Sequence, residues 1–166
     1  MKRKHLFLDL EDTVIEPVLN GWFRTELIPS NIEKIKTIMR DFKPDFVHVF
    51  SFAVWNQTEL ERFNQGTREM VEQALGIKFS GVPSVDDDII PSACAVMGIC
   101  NVDFDDMSSF WGKHETFRLN VRNMFKYAKP EGLSIEVLLV DDAVMNEEFS
   151  WPDLNITGKI VDITKL

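Results

Sequence analysis

The chain is poor in cysteine, with only Cys94 and Cys100 among its 166 residues. Two thiols build neither a disulfide framework nor a four-cysteine zinc site. Free cysteine is commonly buried, so both read as core thiols in a reducing cytosol. No apolar run reaches the roughly 20 residues that span a bilayer. The start, Met1-Lys2-Arg3-Lys4-His5, is basic, but only three apolar residues follow before Asp9. That is too short for the hydrophobic region of a signal peptide, so a cytoplasmic protein is expected. There is no internal repeat, low-complexity tract or Pro/Gly/Ser linker, so residues 1–166 are read as a single domain. Positive charge is scarce as well: 18 Lys and Arg stand against 27 Asp and Glu, a net charge of −9. An acidic chain repels phosphate backbones, which argues against general nucleic-acid binding but leaves room for a local basic site. What is present, 45% hydrophobic and 27% charged residues, excludes the disordered and fibrous classes.

The pattern along the chain alternates strands with helices. Leu6-Phe7-Leu8 reads as a buried strand ending at Asp9. Val14 to Ile28 is broken by Pro17, Asn20 and Gly21 and reads as a hairpin or flap. Pro29-Ser30-Asn31 opens a helix with Ile32, Ile35, Ile38 and Met39 on one face, ending before Pro44. Asp45 to Ser51 reads as a strand apolar enough to be buried on both faces. Asn56 or Thr58 caps a helix running through Leu75 to a stop at Gly76. Ile77 to Val82 reads as a third strand, Gly112 to Tyr127 as a helix, Ile135 to Val140 as the strongest strand and Lys159 to Ile163 as a short last one. Residues 83 to 110 do not declare themselves as cap or core elements. The alternation points to a doubly wound, mainly parallel α/β sheet with helices on both faces. Ligands of such folds bind beyond the carboxyl ends of the strands, and here those ends carry Asp9, Ser51 and Asp141-Asp142.

Carboxylates from two strand ends can hold magnesium, which takes a few carboxylates, waters and a phosphate oxygen. Magnesium and a lysine neutralise a transferring phosphoryl group, and a carboxylate can then attack phosphorus. Lys113, opening the helix before the last acidic pair, fits the lysine role. Its rivals Lys126 and Lys129 sit late in the helix or beyond it, where they suit the helix dipole and solvent.

In this arrangement the sequence resembles the haloacid dehalogenase (HAD) superfamily of phosphohydrolases. The first motif of that family, a strand followed by D-x-D-x-T, reads here Leu8-Asp9-Leu10-Glu11-Asp12-Thr13; the second, a strand closed by Ser or Thr, ends at Ser51. Lys113 stands for the third motif, and Val140-Asp141-Asp142, with Asn146, for the fourth. The resemblance spans residues 6 to 146. It implies a Rossmann-like HAD fold and a magnesium-dependent phosphomonoester hydrolase working through an aspartyl phosphate on Asp9. It further implies that Asp141 and Asp142 hold magnesium with the Asp9 carboxylate and the Glu11 carbonyl. Ser51 and Lys113 would bind the phosphoryl oxygens, Asn146 would support the acidic loop and Thr13 would brace the turn.

One residue departs from the family: Glu11 stands where its phosphatases have the acid/base aspartate. One extra methylene moves the carboxyl by about 1.3–1.5 Å. Three consequences stay open: a backbone that compensates, slow turnover with a longer-lived phosphoenzyme, or a degenerate domain that binds a phosphorylated ligand or protein partner. Only 37 residues separate Thr13 from Ser51 and 61 separate Ser51 from Lys113. A large cap domain does not fit, and near-capless relatives act on phosphorylated macromolecule ends or close the site by homo-oligomerising. A receiver-type phosphoacceptor domain shares the residue types, but its acidic pair comes first and its lysine last, the reverse of the order here. Of the remaining chemistry-bearing residues, His48 falls on the strand face opposite Ser51. His114 reads as an exposed first-turn residue. Asp86-Asp87-Asp88 and Asp103, Asp105 and Asp106 read as solvated charges. Trp22 and Phe23 read as cover, and Trp55 and Trp111 as candidate substrate contacts.

Overall fold

The computed structural model describes residues 1–17, 26–85, 104–126 and 131–166, with residues 104–111 described by backbone alone. Trp22, Phe23, Asp86-Asp87-Asp88, Cys94, Cys100, Asp103 and Lys129 lie outside the described residues, as do the side chains of Asp105, Asp106 and Trp111. Strand β1 (Lys2–Leu8) is an interior strand of a five-stranded sheet. It pairs in parallel with β2 (Phe46–Val49) on one side and β3 (Ser134–Asp141) on the other. Beyond β3 lies parallel β5 (Ile156–Asp162), and antiparallel β4 (Glu147–Trp151) closes that edge. The sheet order is β2-β1-β3-β5-β4, a mainly parallel α/β arrangement.

Two cores sandwich the sheet, and the period-two alternation of β1 separates them. Leu6 and Leu8 enter one core, Phe7 the other. The first core receives Ile32 and Ile35 of α1 (Pro29–Phe42), Phe63 of α2 (Gln57–Asn64) and Val71 and Leu75 of α3 (Thr67–Leu75). The second receives Phe117 and Val121 of α4 (Phe104–Phe125). Helices thus cover both faces, which is why the end of β1, Leu6-Phe7-Leu8, and the run Val137-Leu138-Leu139-Val140 of β3 can be continuously apolar. No described helix is long and apolar enough to cross a membrane.

Several element boundaries differ from the sequence reading. The helix expected through Leu75 is two helices, because Gly66 adopts φ 127°, a conformation that interrupts the helix between Asn64 and Thr67. Its start is as expected, with Asn56 Oδ1 accepting from Glu59 N at 2.9 Å. The strand expected over Ile77–Val82 is reduced to a single parallel bridge between His48 and Gly81, flanked by Ser80 N→Val47 O and Val49 N→Gly81 O. Pro83, lacking an N–H, cannot prolong that pairing. β2 stops at Val49, and Ser51 opens a turn in which Val54 N donates to Ser51 O. β4 was not anticipated. Its burial alternates between half-buried and exposed, so it carries no apolar run to read, and pairing with β5 is what makes it a strand. The region expected to be a flap has an antiparallel base: Ile15 bridges Leu27, and Glu16 N and Ile28 N donate to Glu26 O and Val14 O.

Candidate active site

The parallel register brings the chemistry-bearing residues to one edge. Leu8 pairs with Val49 and with Val140, so the residues that follow each strand leave the sheet at the same level. Asp9 follows Leu8 and donates its N–H to Val140 O at 3.0 Å. Asp141 ends β3, and Ser51 stands two residues past Val49. The chain then turns sharply after Asp9. Leu10 O accepts from the amides of Thr13, Val14 and Ile15, and Asp12 sits at φ 57°. Aspartate tolerates that left-handed conformation better than most residues.

Asp9, Asp141 and Lys113 form the buried heart of this edge. Lys113 Nζ lies 2.9 Å from Asp9 Oδ1 and 2.9 Å from Asp141 Oδ2. The ammonium also lies over the rings of Phe52 and Phe50, 4.5 and 5.3 Å from their centroids, which gives it an electron-rich apolar flank. Thr13 Oγ1 is 3.1 Å from Asp9 Oδ2 and 3.2 Å from Asp142 Oδ1; having one proton, it bridges the two carboxylates by donating to either in turn. Ser51 hydrogen-bonds Asp9 as well, and its Oγ accepts from Ala53 N at 3.2 Å. Asp141 Oδ1 accepts from Ala143 N, fixing the acidic turn, and Asn146 Oδ1 accepts from Asp162 N, tying the same loop to β5.

An open cleft of about 360 Å³ lies over these groups. Among the described residues, Asp9, Glu11, Asp12, Asp141 and Asp142 line it with one cation, Lys113, beside Ser51, Phe52, Ala53 and Ala143. Five carboxylates against one ammonium leave an excess of negative charge, and the ionisation behaviour reflects it. Burial pushes the Asp9 carboxyl up to about 6; Asp141 adds to the rise, while Lys113 and Ser51 oppose it. Burial, then repulsion from Asp141, raises Asp142 too. Burial alone would lower Lys113, but Asp9 and Asp141 outweigh it and hold the ammonium above its ordinary value.

The site suits a divalent cation on two counts. Asp9, Asp141 and Asp142 each offer an oxygen, all within 4.8 Å of one another, a hard all-oxygen set of the kind magnesium takes. Asp141 Oδ2 is also buried, with the Lys113 ammonium 2.9 Å away as its counter-charge. One ammonium shared between two buried carboxylates leaves negative charge that a divalent cation would neutralise.

Other candidates lie elsewhere. His48 is buried beside His5, their ring nitrogens 2.9 Å apart, and does not line the cleft. His114 Nε2 bonds Met145 O at 3.0 Å, so this first-turn residue is tied to the acidic loop. Trp55 is half-buried and outside the lining, and Lys126 is exposed at the end of α4. Among the described residues the aromatic lining the cleft is Phe52, missed because nothing in the sequence distinguishes it from a core phenylalanine. Ser84, buried against the Ser51 turn, was missed too, since it falls in the stretch with no readable period. The comparisons with protein-family models, curated proteins and solved structures gave no match.

Proposed function

We propose that the protein is a phosphomonoester hydrolase of the haloacid dehalogenase type, acting through an aspartyl phosphate on Asp9. The observation that carries this reading is the Lys113 ammonium bridging the buried carboxylates of Asp9 and Asp141 at the mouth of an interior parallel strand. Magnesium, held by Asp9, Asp141 and Asp142, would neutralise their charge and that of the phosphoryl oxygens. Lys113 and Ser51 receive the phosphoryl group and orient it. A carboxylate oxygen of Asp9 forms a bond to phosphorus as the ester bond breaks, and Glu11 donates a proton to the departing oxygen. Water then attacks phosphorus while Glu11 takes its proton back. The Asp9–phosphorus bond breaks, inorganic phosphate leaves and the Asp9 carboxylate is restored. Thr13 holds Asp9 beside Asp142 throughout. Burial of Asp9 supports the nucleophile role, because a poorly hydrated carboxylate has little solvation to shed before attack.

The test is release of phosphate from an aryl phosphate and from phosphorylated sugars, nucleotides and oligonucleotide ends, with magnesium or with EDTA. Magnesium-dependent release that Asp9→Asn abolishes, with the circular dichroism spectrum intact, is the expected result. Undiminished release from Asp9→Asn would remove Asp9 as nucleophile. Absence of both release and magnesium binding would turn the site into a binding module for a phosphorylated ligand.

A further inference from the structure

We propose that Ser84, held in place by Asn120, is a positioning residue for the phosphoryl-binding end of the cleft, an inference that rests on Ser51 and Lys113 binding the phosphoryl group. Both side chains are fully buried, at 0% exposure. Neither lines the cleft, so any effect passes through other residues. Ser84 Oγ donates to Val54 O at 2.6 Å and accepts from Ser51 N at 3.3 Å. Ser51 and Val54 are the two ends of the turn closed by Val54 N→Ser51 O. One hydroxyl therefore clamps both ends of the turn that presents Ser51 to Asp9.

The clamp is in turn fixed to the helix bearing the lysine. Asn120 Nδ2 donates to Pro83 O at 2.5 Å, the carbonyl immediately before Ser84. Asn120 is two helical turns past Lys113 on α4, on the same side of the helix. Lys113 and Ser51 are thus joined through Asn120, Pro83 and Ser84, by a route that avoids Asp9 and the acidic loop. The two groups that face the phosphoryl oxygens come from different elements, and this link keeps them in register. Without the Ser84 hydroxyl, the Ser51 amide and the Val54 carbonyl lose a partner in a dry setting, and the turn relaxes to find others. A shift of about 1 Å in such a group is enough to cost rate steeply.

The experiment is a double-mutant comparison on aryl phosphate. Ser84→Ala is expected to lower kcat/KM about tenfold, the scale of one well-placed hydrogen bond, and Asn120→Ala severalfold. In a Ser51→Ala background the Ser84→Ala effect should shrink to less than about twofold, since its target is gone. Equal losses in both backgrounds, or unchanged kinetics in the Ser84→Ala single variant, would overturn the proposal. Should Ser84→Ala not fold, Asn120→Ala carries the same comparison. A second readout does not need turnover: amide exchange at Ser51, followed by NMR, should accelerate at least about tenfold in Ser84→Ala. Amides of β1 and β3 should keep their protection, and uniform acceleration counts against the clamp. A wild type that hydrolyses nothing, yet shows this local exchange pattern, would sink the phosphatase reading and leave the clamp standing.

Discussion

Asp9 and Lys113 illustrate how far a single buried charge depends on its neighbours. Removing the ammonium by Lys113→Met strands Asp9 and Asp141 together in a poorly hydrated site. The expected cost is about 3 kcal/mol in urea unfolding at neutral pH, typical of breaking a buried pair, with part of it recovered on adding magnesium. An unchanged midpoint would mean that the carboxylates are relieved by protonation alone. Asp9 has a pKa raised to about 6, so its proton competes with a cation below that value. Magnesium affinity should therefore strengthen as pH rises through about 6, with proton release detectable by calorimetry in buffers of differing ionisation enthalpy. A flat affinity between about pH 5 and 7 would contradict the assignment of Asp9 as a ligand. Glu11→Asp tests the departure in the first motif. If the longer side chain is a misplaced acid, kcat is preserved or rises; a drop of several orders would mean the cleft is built around glutamate. At this scale the acidic residues stood out as charges closing apolar strands, and Lys113 as a lysine at a helix start after Gly112. Ser84 and Asn120 did not. A buried serine and asparagine acquire their roles only from partners brought close by folding.

The elements place these residues through details of backbone. Gly112 sits at φ 70°, ψ −176°, a conformation nearly exclusive to glycine, and interrupts α4 one residue before Lys113. Gly112→Ala should cost about 1–3 kcal/mol of stability and lower activity beyond that loss, by redirecting the first turn that carries Lys113. Retention of full kcat/KM in the folded variant would show that the break serves the chain path alone. The sequence reading began its helix at Gly112, which locates the break but not the helical residues ahead of it. The split between α2 and α3 escaped notice for a related reason. Leu60, Phe63, Met70, Val71 and Leu75 all turn toward one core, so the apolar pattern bridges the Gly66 interruption. β4 shows the opposite case, a strand with almost no local signal that exists because the edge of β5 offers it hydrogen bonds.

Across the whole molecule, two buried histidines tie β1 to β2 and make stability depend on pH. Burial holds His5 and His48 down at about 4 from an ordinary 6.5, with the partner ring adding to the fall at His48. In the fold both are neutral above about 4, whereas the unfolded chain takes up protons as pH drops below 6.5. Their contribution is full above pH 6.5 and is lost as pH falls to about 4. Asp9 works the other way: its raised pKa favours the fold below its ordinary 3.8, and that advantage is gone above about 6. The free-energy difference between wild type and a His5→Phe/His48→Phe variant should thus shift toward the variant as pH falls from 6.5 to 4. A pH-independent difference would show that the pair titrates normally. The sequence by itself determined the α/β mixture of strands and helices, the apolar faces of α1 and α3, and the carboxylates at the mouths of β1 and β3. Those follow from local period and from the cost of burying charge, both written residue by residue. Only the tertiary structure decided the strand order, the pairing that creates β4, the meeting of His5 with His48, and the clamp from Asn120 through Ser84 to Ser51. Each of these joins residues far apart in the chain, and no local pattern encodes which distant partner a polar group will find.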